Sequence, residues 1–134
     1  MAKLTYIEGI GESSAQKLKA AGIGSTKDLL EVGATPQGRK DLATKSDLSP
    51  ALISKWVNHT DLYRVKGIGS EYAELLEVSG VDTVVELAQR NPKNLHEKMV
   101  TVNHEKDLVR RVPTQAQVVD WVEQAKHLPR VINY

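Results

Sequence analysis

The sequence contains no cysteine and no phenylalanine. The first absence removes disulfides and thiolate metal sites. The second leaves Trp56, Trp121 and four tyrosines as the only large aromatics, so the interior has to be built from Leu, Ile, Val and Ala. Such a core suits thin helices packed closely. An excess of one charge is lacking too. Eighteen Lys and Arg stand against 17 Asp and Glu, a formal net charge of +1, so bulk charge does not drive the chain onto nucleic acid and any such binding must come from local geometry. No uninterrupted apolar run approaches the roughly 20 residues of a membrane-spanning helix. The opening residues Met1, Ala2 and Lys3 lack the apolar stretch of a secretory signal, so the expected location is cytoplasmic, away from membranes. Catalytic signatures are missing as well. His59, His96, His104 and His127 are scattered without paired helical spacing and read as surface histidines, which leaves no metal site. There is no nucleophile–base pair, no Walker loop, and neither Gly-x-Gly continues into a dinucleotide fingerprint. The expectation is a protein that is not an enzyme.

What the sequence does contain is a repeat. Ile7-Glu8-Gly9-Ile10-Gly11 reappears fifty-eight positions later as Val65-Lys66-Gly67-Ile68-Gly69. At the same offset Ala15 meets Ala73, Leu18 meets Leu76, Gly22 meets Gly80, Ile23 meets Val81, Ser25 meets Thr83 and Leu29 meets Leu87. Further on, Thr35-Pro36 resembles Asn91-Pro92, and Ser49, Ile53, Trp56 and Val57 resemble Thr114, Val118, Trp121 and Val122, now at an offset of sixty-five. The second copy therefore carries an insertion, placed at about 101–113 and read as a charged surface loop. With 134 residues and 40% apolar composition, the expectation is one compact all-α domain made of two pseudo-symmetric halves, 1–62 and 63–134.

Each half has a physical reading. The paired glycines suit a tight turn that buries only the aliphatic residue between them. Ala15 and Leu18, like Ala73 and Leu76, lie at i, i+3 spacing and draw a narrow apolar stripe along a helix. Gly22 and Gly80 stand where a helix C-terminus needs a left-handed residue, and Ser25-x-x-Asp28 and Thr83-x-x-Glu86 resemble the capping box of the next helix. Thr35-Pro36, Ser49-Pro50 and Asn91-Pro92 pair a capping side chain with Pro at the first helical position, and Thr114 opens the last helix. Helices are predicted near 12–21, 26–32, 36–43, 50–63, 70–79, 84–89, 92–99 and 115–127, with no strand. Trp56 and Trp121 occupy equivalent positions and read as core anchors. Trp121 is expected near Ile7 and Ile10, and Trp56 near Val65 and Ile68.

The run Gly9-Ile10-Gly11-x-x-x-Ala15-x-x-Leu18-x-x-x-Gly22-Ile23, found again from Gly67 to Val81, resembles the helix-hairpin-helix superfamily. The stretch from Leu108 through Trp121 to Lys126 also looks like the C-terminal part of an uncharacterised family of tandem helix-hairpin-helix proteins of unknown function. The superfamily resemblance implies a glycine hairpin that offers backbone N–H groups to a DNA phosphate, two units straddling the minor groove without reading sequence, and a monovalent cation held at times by hairpin carbonyls.

Elementary physics gives the hairpin a means to do this, since successive N–H groups at a helix start form an anion-binding concavity reinforced by the helix dipole. The candidate nucleic-acid-binding residues are Gly9, Ile10, Gly11, Ser13, Ser14 and Lys17 in the first copy and Lys66, Gly67, Ile68, Gly69 and Ser70 in the second, with Arg110 and Arg111 of the inserted loop. Their expected partner is duplex DNA, bound weakly and without sequence preference. The chain departs from the DNA-gripping pattern where such relatives carry Lys or Arg: Ser13 and Glu71 stand there, and Glu8 and Glu12 add negative charge. A carboxylate about 5 Å from a phosphate costs roughly 3 kcal/mol at an effective dielectric near 20, before salt and solvent reduce it. Two other readings stay open: a protein-interaction or scaffold module, a homodimer included, with purely structural hairpins, and a groove between the repeats that takes a small anionic ligand.

Overall fold

The computed structural model describes residues 2–134. Among these the chain forms eight α-helices and one turn of 3-10 helix, with no strand. It divides into two units. One is the chain up to Asp61 together with Val131–Tyr134, and the other is Leu62–Arg130. The last four residues thus pack with the first unit rather than the second.

The first unit opens with the 3-10 turn Leu4–Tyr6, followed by α1 (Glu12–Ala20), α2 (Thr26–Gly33), α3 (Pro36–Ser46) and α4 (Pro50–Leu62). The second holds α5 (Ser70–Val78), α6 (Val84–Ala88), α7 (Pro92–Lys106) and α8 (Gln115–Lys126). Both units use the same punctuation. Gly22 and Gly80 have φ of 95° and 97° and close α1 and α5. Ile23 N–H donates to the Leu18 carbonyl at 2.9 Å and Val81 N–H to the Leu76 carbonyl at 2.8 Å. The adjoining bonds run from Gly22 to Lys19 and from Gly80 to Glu77, both at 3.0 Å, which completes a Schellman motif in each copy. The next helices start at Ser25 and Thr83, whose hydroxyls accept from the N–H of Asp28 and Glu86. The return bond of a capping box is shifted by one residue, because Asp28 and Glu86 accept from Gly24 and Asp82 instead of the cap itself. Among the described residues only Thr114 and Gln117 exchange both bonds of a true box.

The cores are aliphatic, as a chain without Phe requires. Leu18, Ile23, Leu29, Ile53, Trp56 and Val57 are buried in the first unit, and Leu75, Leu76, Leu87, Leu95, Met99 and Trp121 in the second. Each fully buried Leu or Ile contributes about 1.5–3 kcal/mol of transfer free energy. Gly33 of α2 lets α4 approach closely: a Cβ there would collide with Val57. Residues 131–134 lie along the first unit, where Ile132 is buried and Asn133 N–H donates to the Ala34 carbonyl at 2.8 Å.

Three expectations need correction. The segment 101–113 is not one loop, because α7 continues to Lys106. Val102 follows Leu95 and Met99 on the buried stripe, so the helix gains a further apolar contact by running on. The shared Asp-Leu pair explains the arithmetic. Pro36 and Pro92 are offset by 56, Asp47 and Asp107 by 60, and Trp56 and Trp121 by 65. Four of the extra residues therefore lengthen a helix by one turn (α3 has 11 residues, α7 has 15), and five enter the loop after Asp107. Asp47 and Asp107 each end their helix in the left-handed region, at φ 57° and 50°. Second, the tryptophans lie against the hairpins of their own units, Trp56 at Gly9 and Trp121 at Gly67. The apolar face of each returning helix thus closes over the turn that precedes it in the same unit. Third, not every histidine is at the surface, since His59 is fully buried.

Candidate nucleic-acid interface

Each glycine hairpin is a four-residue turn that runs into a helix. Ile10 N–H donates to the Ile7 carbonyl at 3.1 Å, and Ile68 N–H to the Val65 carbonyl at 3.2 Å. Gly9 and Gly67, third in these turns, have φ of 92° and 101°, the left-handed value a type II turn demands. The second glycine of each pair is different. Gly11 and Gly69 are in the extended region and serve as N-caps of α1 and α5. A Cβ on Gly11 would meet nothing within 4 Å, so that glycine marks open space rather than strain.

The two helices that follow the hairpins stand apart from the other six. Side-chain oxygens of Ser25, Thr35, Ser49, Thr83, Asn91 and Thr114 accept N–H bonds at the starts of α2, α3, α4, α6, α7 and α8. No side chain caps α1 or α5. The first turn of a helix leaves N–H groups without intrahelical acceptors and carries the positive end of the dipole. Gly11 and Gly69 themselves bring no side-chain oxygen to these donors.

Of the candidate site residues, Gly9, Gly11, Ser13 and Lys17 are exposed at or after the first hairpin, while Ser14 is half-buried. In the second copy Lys66 and Gly67 are exposed, and Gly69 and Ser70 half-buried. Ile10 and Ile68 are each 5% exposed, so their side chains belong to the core and only their backbones face outward at the turn. Arg110 and Arg111 are exposed, on a loop that is held down. Asn103 Oδ1 accepts from Leu108 N–H at 2.7 Å and Val109 N–H at 2.9 Å, and its Nδ2 donates to the Val109 carbonyl at 3.2 Å. Tyr72, in the first turn of α5, donates its hydroxyl to the Arg111 carbonyl at 2.9 Å. The backbone of this loop is thereby tied at Arg111 to the helix that follows the second hairpin.

Three side chains that tie this region together were not singled out from the sequence. Tyr72 also packs its ring on Trp121 at 5.2 Å between centroids. Gln124 of α8 clasps Lys66 by accepting from its N–H at 2.9 Å and donating to its carbonyl at 3.0 Å. Asn103 carries no motif by which one sequence could mark it. Among the described residues the first hairpin has no comparable basic loop. An open recess of about 290 Å³ along α1 is lined by Lys3, Thr5, Glu12, Lys19 and Gly24, so Lys3 and Lys19 are further cations of that copy, and Glu12 offsets one of their charges.

No helix is long and apolar enough to cross a membrane among the described residues. A family model described as a domain of unknown function (DUF4332) matches residues 8–128, a span that begins at the first hairpin and ends beyond α8. No curated protein and no solved structure matches the chain. With both hairpins and all eight helices inside the matched span, the chain belongs to the family of the domain of unknown function DUF4332.

Proposed function

We propose that this chain is a non-enzymatic binding module of the helix-hairpin-helix type, whose glycine hairpins hold the phosphate backbone of duplex DNA weakly and without sequence preference. The observation that carries the reading is the contrast at the helix starts: six helices are capped by side chains, and the two behind the glycine hairpins are not. Backbone N–H groups at a positive helix end whose N-cap is glycine suit a phosphate oxygen. Such donors carry no base information, so the contact positions the duplex and does not read it.

The second hairpin is the stronger contact in this reading. Lys66 precedes it, and the loop with Arg110 and Arg111 is anchored beside it by Tyr72. Glu8 and Glu12 weaken the first. No cofactor takes part, and a monovalent cation on hairpin carbonyls is compatible with the same geometry. The net charge of +1 favours a second reading, a protein-interaction or self-association module with structural hairpins.

Titration of a short duplex into the ¹⁵N-labelled protein at about 20 mM salt, where screening is weak, separates the two. Phosphate contact shifts the amide signals of Gly69, Ser70 and Glu71 first and those of Gly11, Glu12 and Ser13 second. Shifts confined to exposed helix faces, or none at all, contradict it.

A further inference from the structure

The segment Val131–Tyr134 is seated on the first unit by a buried cation. Arg39 of α3 is 9% exposed and forms its hydrogen bonds with backbone only: Nη1 donates to the Gly33 carbonyl and Nη2 to the Asn133 carbonyl, both at 2.8 Å. Its guanidinium also lies 5.0 Å from the centroid of the Tyr134 ring, and no carboxylate pairs with it among the described residues. Asn133 answers with its own N–H on the Ala34 carbonyl at 2.8 Å, Ile132 is 2% exposed, and the Tyr134 hydroxyl donates to Asn58 Oδ1 at 2.5 Å. The matched position of the second copy is Leu95, fully buried, so this clamp belongs to the first unit alone.

A buried charge without a counter-ion is costly unless its donors are satisfied. Here the satisfying acceptor at Nη2 is a main-chain carbonyl of a short extended segment, which any residue supplies. Selection is left to two side chains: an aliphatic one in the socket of Ile132, and an aromatic one two residues later that lies on the guanidinium. From this we propose that the face formed by Gly33, Ala34, Arg39 and Asn58 is a peptide-recognition groove for an extended aliphatic–x–aromatic segment, and that Val131–Tyr134 is its resident, displaceable occupant. Recognition follows the logic of strand addition, with main-chain bonds for affinity and alternate side chains for selection. It is independent of the DNA reading.

The test uses the full chain carrying Ile132→Asp, which expels the resident segment, and a fluorescein-labelled, end-capped peptide Leu-Pro-Arg-Val-Ile-Asn-Tyr followed by anisotropy. In the wild type the tethered segment competes at an effective concentration in the millimolar range, so Ile132→Asp should bind the peptide at least about tenfold more tightly. Adding Arg39→Ala to that variant should abolish the gain, and a peptide with Asp in place of Ile should not bind. Equal binding by wild type and a folded Ile132→Asp chain, or binding that survives Arg39→Ala, overturns the proposal. Should Ile132→Asp unfold the chain, Tyr134→Ala takes its place. That change removes the ring from Arg39 and the hydroxyl from Asn58 but keeps Ile132, and no gain over wild type there overturns the proposal equally.

Discussion

Gly9 and Gly67 occupy matched positions with nearly the same φ, yet their surroundings differ. A Cβ on Gly67 would stand 2.8 Å from Trp121 Nε1, and one on Gly9 would stand 3.4 Å from Trp56 Nε1. Both substitutions by Ala place a side chain in a left-handed conformation, but only the second copy adds a collision with an indole that fills its core. Gly67→Ala should therefore destabilise by about 2–3 kcal/mol and Gly9→Ala by about 1 kcal/mol, an order that urea denaturation checks. Gly22 and Gly80 isolate the conformational part, since an added Cβ meets nothing within 4 Å at Gly22 and only Arg90 Nη1 at 3.5 Å at Gly80. Each Ala variant there should lose about 1 kcal/mol. Unchanged thermal melts would contradict the Schellman assignment.

The helices could be read from the sequence because their ends are written in local chemistry: Gly after α1 and α5, and Ser, Thr or Asn with Pro before α3, α4 and α7. All eight predicted helices are present, and their starts agree more closely than their ends. The start of a helix is set by one cap, whereas α3 and α7 stop at Asp47 and Asp107, residues that adopt the left-handed cap less readily than Gly or Asn and so gave no signal. Partner choice was out of reach for a related reason. The equivalence of Trp56 and Trp121 said that both fill a core, but not which hairpin each would cover, because that depends on long-range packing. Of the candidate site, the turns and exposed cations were foreseeable, while the fastening of the basic loop rests on Tyr72, Gln124 and Asn103, whose roles exist only in the folded chain. That loop yields a prediction at its own scale. Asn103→Ala removes three half-buried hydrogen bonds and should cost about 2 kcal/mol. The amides of Leu108 and Val109 should then lose hydrogen-exchange protection while α8 keeps its own. Retained protection at both would show that the loop is held by other contacts.

Taken as a whole, the chain has almost no net charge with which to attract DNA, so any affinity depends on where its charges and dipoles are placed. In the proposed reading two hairpins and one basic loop would neutralise about two to four phosphates, which corresponds to a slope of log affinity against log salt of about −2 to −4. Glu71 is exposed in the first turn of α5, beside the donors that would receive the phosphate. Replacing it by Lys reverses a charge at that point without disturbing the buried stripe of the helix. The central claim is therefore tested most directly by fluorescence anisotropy on two duplexes of different sequence, across a salt series, with wild type and Glu71→Lys. The account predicts weak binding that is equal for the two duplexes, a wild-type slope within the range above, and for Glu71→Lys an affinity several-fold higher with a slope steeper by about one unit. If neither protein binds at about 20 mM salt, or if binding discriminates between the duplexes, the hairpins are not phosphate contacts.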